Sequence, residues 1–238
     1  MRLNRFFGDF DFQQKSLRIS DRDFLHQIKN VLWLGKGQQI ILADGKLNEA
    51  VAEILAVSRD DLTVKILTIS QNINEPIYRV ILYCSILKRE NFELVVQKAT
   101  EVGAAEIAPI ICQRTIKTGL KKDRLEKIIK QAAEQSSRGS LPVLREVTDF
   151  KEAIADTKEN NINILFDSSG AKFVQSDCTN LAPQEKPRVG IFIGPEGGWS
   201  EEEITAAKEA GFKIVSLGKL TLRAETAAII ASYIICSF

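Results

Sequence analysis

A chain of 238 residues, 45% hydrophobic and 26% charged, is long enough for one large domain or two small ones and has an ordinary globular make-up. Its net charge of +1 gives no global signal for nucleic acid, its apolar runs are too short to span a bilayer, and its opening, Met1-Arg-Leu-Asn-Arg-Phe-Phe, lacks the apolar core of a secretion signal. Four scattered cysteines (Cys84, Cys112, Cys178, Cys236) with no C-x-x-C pair imply a reducing compartment and no metal site, so a cytoplasmic protein is expected.

Residues 1 to about 72 read as mostly β. Val31-Leu-Trp-Leu precedes Gly35-Lys-Gly37, Gln39 to Ala43 is β-prone, and Asp44-Gly45 is a hairpin turn before the run from Glu49 to Leu55. Asp60-Asp61 marks a second turn before Leu62 to Leu67. One short helix fits from Asp21 to Asn30, with Ser20 as its N-cap. Several short strands with turns at this spacing suggest a small barrel. A polar stretch, Gln71 to Glu75, then precedes Pro76 and marks a domain boundary, giving units 1–72 and 73–238.

Beyond the boundary, strands alternate with helices. Arg79 to Ser85, Glu106 to Ile111, Asn163 to Asp167, Arg188 to Ile193 and Lys213 to Leu217 read as strands, with a loop from Lys172 to Lys186. Helices are expected over Asn91–Val102, closed by Gly103, over Asp123–Ser136 and over Glu225–Ile235. Such alternation implies an α/β fold with a parallel sheet covered by helices. Cys112 to Arg145 carries nine Lys/Arg against three Asp/Glu, a local excess of six that suits either a nucleic-acid surface or a solvated helix face.

Two stretches carry chemistry. The run Ile191-Phe-Ile-Gly-Pro-Glu-Gly-Gly-Trp-Ser-Glu-Glu-Glu-Ile204 is a strand, a glycine loop and a helix opened by a Ser200/Glu203 capping box. Neither the dinucleotide nor the P-loop glycine pattern is present. Residues 200–210 hold four Glu and one Lys, so a phosphate would be repelled and a neutral or cationic ligand suits the loop. About two dozen residues later the arrangement returns as Leu217-Gly-Lys-Leu-Thr-Leu-Arg-Ala-Glu-Thr-Ala227.

Together with Arg2-Leu-x-Arg5-Phe-Phe, Phe24 to Leu32, Lys88 to Gly103, Glu134-Gln-Ser-Ser-Arg138 and Leu141-Pro142, these motifs closely resemble the SPOUT class of RNA methyltransferases. Within that class the chain resembles the RsmE family, which methylates N3 of a uridine in small-subunit ribosomal RNA. Departures fall at Leu25-His26, where the family has a His pair, and at Trp33, where it has an arginine. His26, the only histidine, reads as packed or hydrogen-bonded rather than catalytic. Trp33 has two readings, a core side chain or an exposed stacking surface for a base, and core is the expectation.

The resemblance implies a PUA-like β-barrel that grips RNA, followed by a SPOUT α/β domain with a trefoil knot, and a homodimer. It implies S-adenosylmethionine as methyl donor, held by Phe166 and Asp167, by Gly194, Pro195, Glu196 and Gly197, and by Leu217, Gly218 and Leu222 with Thr226. Arg223 is the expected catalytic arginine. Glu225 is either a general base or, with Thr226, a cap of the last helix, and Glu196 is either a base or a loop support. Arg2, Arg5, Arg114 and Arg138 are the expected contacts to 16S ribosomal RNA in the small subunit. Activity on another RNA nucleoside, or a non-catalytic ribosome assembly role, are the alternatives.

Overall fold

The structure is a computed structural model that describes residues 3–116, 119–177 and 186–237. The chain divides into two compact units, Met1–Glu75 with Ala133–Leu141, and Pro76–Ala132 with Pro142–Phe238. The second segment of the first unit is not foreseen by a linear division at residue 72. Glu75 explains it. Its carboxylate accepts from the Arg138 guanidinium at 3.2 and 2.6 Å and from the backbone N–H groups of Gly139 (2.9 Å) and Ser140 (3.2 Å).

The first unit holds β1 (Asn4–Phe7), β2 (Ser16–Ile19), α1 (Arg22–His26), β3 (Gln39–Ala43), β4 (Asn48–Val57) and β5 (Leu62–Gln71). These strands form one sheet in the order β1-β3-β4-β5-β2, parallel between β1 and β3 and antiparallel elsewhere. Alternation decides the buried face: Ala50, Ala52 and Ile54 of β4 and Leu62 and Val64 of β5 turn inward. Ala52, Ile54, Leu62 and Val64 pack with Phe6, Ile40, Leu42, Phe24 and Ile28.

Three expectations for this unit are corrected. The N-cap of α1 is Asp21, not Ser20; its side chain accepts from Phe24 N at 2.7 Å. After His26 the helix widens to a π-turn, Gln27–Val31, so Val31 to Leu34 form no strand. Trp33 is not in the core: it is 80% exposed, with a left-handed φ of 54°. The N–H groups on either side tie back to the helix, Leu32 to Gln27 O and Leu34 to Ile28 O, both at 2.9 Å. Those bonds bring Leu32 and Leu34 against the core and turn Trp33 outward between them.

The second unit follows the sequence β6 (Arg79–Ser85), α2 (Arg89–Val102), β7 (Glu106–Ile111), α3 (Lys122–Ser136, whose last turn from Ala133 belongs to the first unit), β8 (Val143–Leu144), β9 (Thr148–Asp149) and α4 (Phe150–Asp156). It continues with β10 (Ile162–Lys172), β11 (Arg188–Ile193), α5 (Glu201–Glu209), β12 (Lys213–Ser216) and α6 (Ala224–Cys236). The strands make one parallel sheet, in the order β12-β10-β11-β6-β7-β8, with β9 also on β7. Both faces are covered, which is why its central strands read as continuous apolar runs. Val80, Leu82, Val189 and Ile191 face α2 and α6, whereas Ile81, Tyr83, Phe192 and Phe212 pack on the opposite side with Phe150 of α4 and Ala207 of α5. The short elements between Val143 and Asp156 were not anticipated, although α4 carries its own capping box, Asp149 with Glu152.

Among the described residues, four cations of the basic stretch from Cys112 to Arg145 are neutralised by ion pairs. Arg124 pairs with Glu93 at 2.6 Å, Arg145 with Glu106 at 2.6 Å, and Arg138 with Glu75 at 2.6 Å. Lys122 pairs with Glu146, and Arg145 also pairs with Asp156. The carboxylates that balance this stretch come from elsewhere in the chain.

Candidate active site

Strands β10, β11 and β12 lie side by side and parallel, so their carboxyl ends open on one edge of the sheet. That edge is where open α/β sheets place ligands. Three segments line a cavity of about 620 Å³, within the range of small-molecule sites: the irregular stretch Phe166–Ser168 inside β10, the loop after β11 and the loop after β12.

Each loop is held by a specific contact. Trp199 joins the first two: its indole Nε1 donates to Phe166 O at 3.0 Å, and its ring lies against Gly194. A Cβ on residue 194 would stand 3.0 Å from that ring, a contact tighter than side chains usually make, so glycine suits the close approach. Beyond the loop, Ser200 and Glu203 form the expected capping box, with bonds of 3.2 and 2.8 Å. The other Glu203 oxygen accepts from Gln113 N at 2.8 Å. Arg114 donates to Gly197 O at 2.8 Å, and Glu196 accepts from Lys88 N at 3.4 Å. The third loop turns at Gly218, whose φ of 134° is one that side chains resist.

Of the residues expected at a cofactor, Phe166, Asp167, Gly194, Pro195, Glu196, Leu217, Gly218 and Leu222 line the cavity. Gly197 and Thr226 are not among its lining; Gly197 instead holds Arg114. Trp199, Ser168, Leu220, Lys88 and Asn91 line it as well. Trp199 directly after two glycines was the available signal in the sequence. Glu196, exposed and tied to the Lys88 N–H, is placed to support the loop.

Arg223 and Glu225 both line the cavity and differ sharply. Arg223 is the N-cap of α6, makes no side-chain capping bond, and its side chain is 85% exposed. Glu225 is 8% exposed, and its Oε2 has no hydrogen-bond partner among the described residues. Its Oε1 lies 4.0 Å from Arg223 Nη1. The expected capping of α6 by Glu225 and Thr226 is therefore not observed. A buried carboxylate oxygen without a partner costs free energy, and such a group needs a reason. Asp167, Glu196 and Glu225 against Lys88 and Arg223 leave the lining with an excess of carboxylates, while Leu217, Leu220 and Leu222 supply apolar surface. The arrangement suits a small molecule that is part apolar and carries positive charge.

Two expected RNA contacts are corrected. Arg5 is buried with Nη1 2.5 Å from Glu49 Oε2, and Arg138 is buried on Glu75. Both guanidiniums hold the first unit together and are not presented to a partner. Arg114 is exposed, and Arg2 lies outside the described residues. His26 is exposed, with Nδ1 2.9 Å from Asn30 Nδ2.

Comparison with known proteins places this geometry. The model of the RNA methyltransferase domain matches residues 74–236. The ribosomal RNA small subunit methyltransferase E of Mesomycoplasma hyopneumoniae is 34% identical over 161 residues, covering 66% of this chain and 68% of that one. The protein of the same name from Rickettsia conorii is 27% identical over 97% of this chain and 94% of its own. A crystal structure of the Neisseria gonorrhoeae ribosomal RNA small subunit methyltransferase E bound to S-adenosyl methionine superposes with a TM-score of 0.88. It shares 27% identity and covers 99% of this chain and 98% of that one. The chain belongs to the RNA methyltransferase family whose matched curated members are named ribosomal RNA small subunit methyltransferase E.

Proposed function

We propose that this chain is an S-adenosylmethionine-dependent methyltransferase that modifies N3 of a uridine in 16S ribosomal RNA. The observation that carries the reading is the cavity at the ends of β10, β11 and β12, with a buried, unpartnered Glu225 oxygen in its wall. The residues present fit the donor. Leu217 and Leu222 offer apolar contact to its adenine, the Gly194 loop allows backbone to approach it, and the carboxylates favour its charge. When bound, the donor supplies an electrophilic methyl group on a sulfonium.

The chain's own part is to position the base and manage one proton. N3 of uracil is an imide nitrogen and becomes a nucleophile as its proton leaves. Glu225 Oε2, free of other hydrogen bonds, is the acceptor for that proton. Arg223, exposed at the mouth of the cavity, meets the RNA phosphate or the negative charge that develops on the uracil oxygens. Arg223→Ala is expected to lower methyl transfer by roughly 10²–10³-fold with donor affinity nearly unchanged. Full transfer by this variant would remove Arg223 from the mechanism.

The expected trefoil knot is supported by membership of the RNA methyltransferase family. The mixed, mostly antiparallel first unit supports the PUA-like barrel that grips RNA. A crystallographic chain trace tests both. The homodimer is supported by α6, whose outer side leaves Ala227, Ile229, Ile230 and Ile234 half-buried and Tyr233 60% exposed. A solution mass near that of one 26.5 kDa chain would exclude it. No helix among the described residues is long and apolar enough to cross a membrane, which fits work on small subunits in the cytoplasm.

The deciding experiment adds protein and S-adenosylmethionine to small subunits from cells that lack this gene, then digests the RNA for mass spectrometry. The reading requires 3-methyluridine at one nucleotide. Another methylated nucleoside would keep the class and replace the substrate. Subunit binding without methylation would leave an assembly factor.

A further inference from the structure

The first unit has a cavity of its own, of about 420 Å³, that the methyl-transfer chemistry does not use. Its wall includes Arg22, Lys29 and Arg59, with His26, Asn30 and a single carboxylate, Asp60. Lys29 Nζ donates to Arg59 O at 2.8 Å, which ties the π-turn to the turn after β4 and fixes both sides of the cavity. Among the described residues neither Arg22 nor Arg59 has an ion-pair partner.

Trp33 follows the same π-turn that supplies Lys29 and Asn30 to the cavity. It is 80% exposed at a φ of 54°. Both features are unfavourable: a large apolar surface faces water, and a bulky side chain sits in the left-handed region. The Leu32 and Leu34 N–H bonds hold it there at 2.9 Å. Backbone strain maintained by its surroundings points to a functional position.

We propose that this surface binds an unpaired segment of the RNA substrate, with one base stacked on Trp33 and a neighbouring phosphate in the basic cavity. The proposal rests on the RNA methyltransferase reading and adds to it the place and chemistry of substrate grip. A duplex hides the faces of its bases, so an exposed indole favours a single strand. Cations beside an aromatic platform are the combination such strands require. The Arg5 and Arg138 contacts expected from the sequence are replaced here by residues that do face solvent.

The test measures binding of labelled oligouridine and of deproteinised small-subunit RNA by fluorescence anisotropy, across a range of salt. Trp33→Ala should weaken binding roughly tenfold to a hundredfold, while Trp33→Phe, which keeps an aromatic face, should hold within a few-fold. Arg22→Ala and Arg59→Ala should each lower the salt slope by roughly 0.7. S-adenosylmethionine affinity should not move in any of these variants. Trp33→Gly relieves the left-handed strain, so it should melt no lower than wild type while binding RNA weakly; a Trp33 needed for packing would melt lower.

Unchanged RNA binding by both Trp33→Ala and Trp33→Gly overturns the proposal. So does a defect seen only on assembled subunits and not on deproteinised RNA, since the partner would then be a ribosomal protein. The two readings fail differently. If wild type methylates RNA and Trp33→Ala binds it equally well, only the surface is wrong. If wild type methylates neither small subunits nor their deproteinised RNA, the functional reading falls first.

Discussion

Glu225→Gln is expected to lower single-turnover methyl transfer by roughly 10²–10⁴-fold, the range for loss of a positioned general base. Glutamine keeps the size of the side chain and cannot take up a proton. Glu225 stands apart from the other carboxylates of the cavity. Asp167 accepts from Ser169 N at 2.8 Å, and Glu196 is exposed and bound by the Lys88 N–H, whereas Glu225 Oε2 is buried with no partner among the described residues. Donor affinity, measured by calorimetry, should change by no more than a few-fold. A large loss of affinity with the rate preserved would instead assign Glu225 to holding the donor's charge. The substitution also removes a buried charge, so the variant should melt at or above the wild-type temperature, the trade between stability and activity common at active sites.

Arg138→Ala should cost roughly 3–5 kcal/mol of unfolding free energy, because it strands the Glu75 carboxylate in a buried site. The side chains of Arg138 and Glu75 are 5% and 10% exposed. Burial alone would raise the Glu75 pKa. The hydrogen bond and charge of Arg138, with help from Gly139 and Ser140, outweigh it and hold the carboxyl below its ordinary value. A folded-state pKa below the unfolded one gives stability that is present above about pH 4.3 and lost as pH falls through the lower, folded value. In Arg138→Ala the main lowering partner is gone while burial and the Gly139 and Ser140 bonds remain, so the lowering shrinks and acid costs the variant less than wild type. Urea unfolding near pH 7 and near pH 4 should therefore show the gap between variant and wild type narrowing with acid. A pH-independent gap would mean that packing, and not the stranded charge, sets the cost.

The sequence by itself determined what short-range physics controls. Alternation fixed the inward face of β4, apolar continuity marked β6 and β11 as buried, and the Ser200/Glu203 spacing dictated the start of α5. The glycine loop and the Leu222-Arg-Ala-Glu225 stretch were legible as chemistry because close backbone approach demands particular residues, and most of them line the cavity. Asp149 and Glu152 carried the same kind of signal for α4.

Only the tertiary structure decided where the charges and the tryptophans went. Arg5 finds Glu49 across 44 residues and Arg138 finds Glu75 across 63, and both leave the surface. Ion pairing and burial depend on which distant groups arrive alongside, and local composition does not contain that information. The exposure of Trp33 likewise follows from two backbone bonds of a π-turn, and the role of Trp199 from a loop that returns to Phe166 across 33 residues. Glu225 is the sharpest case: in sequence it reads as either a helix-capping acid or a base, and only the packing around α6 leaves its oxygen buried in the wall of the cavity, without a partner among the described residues.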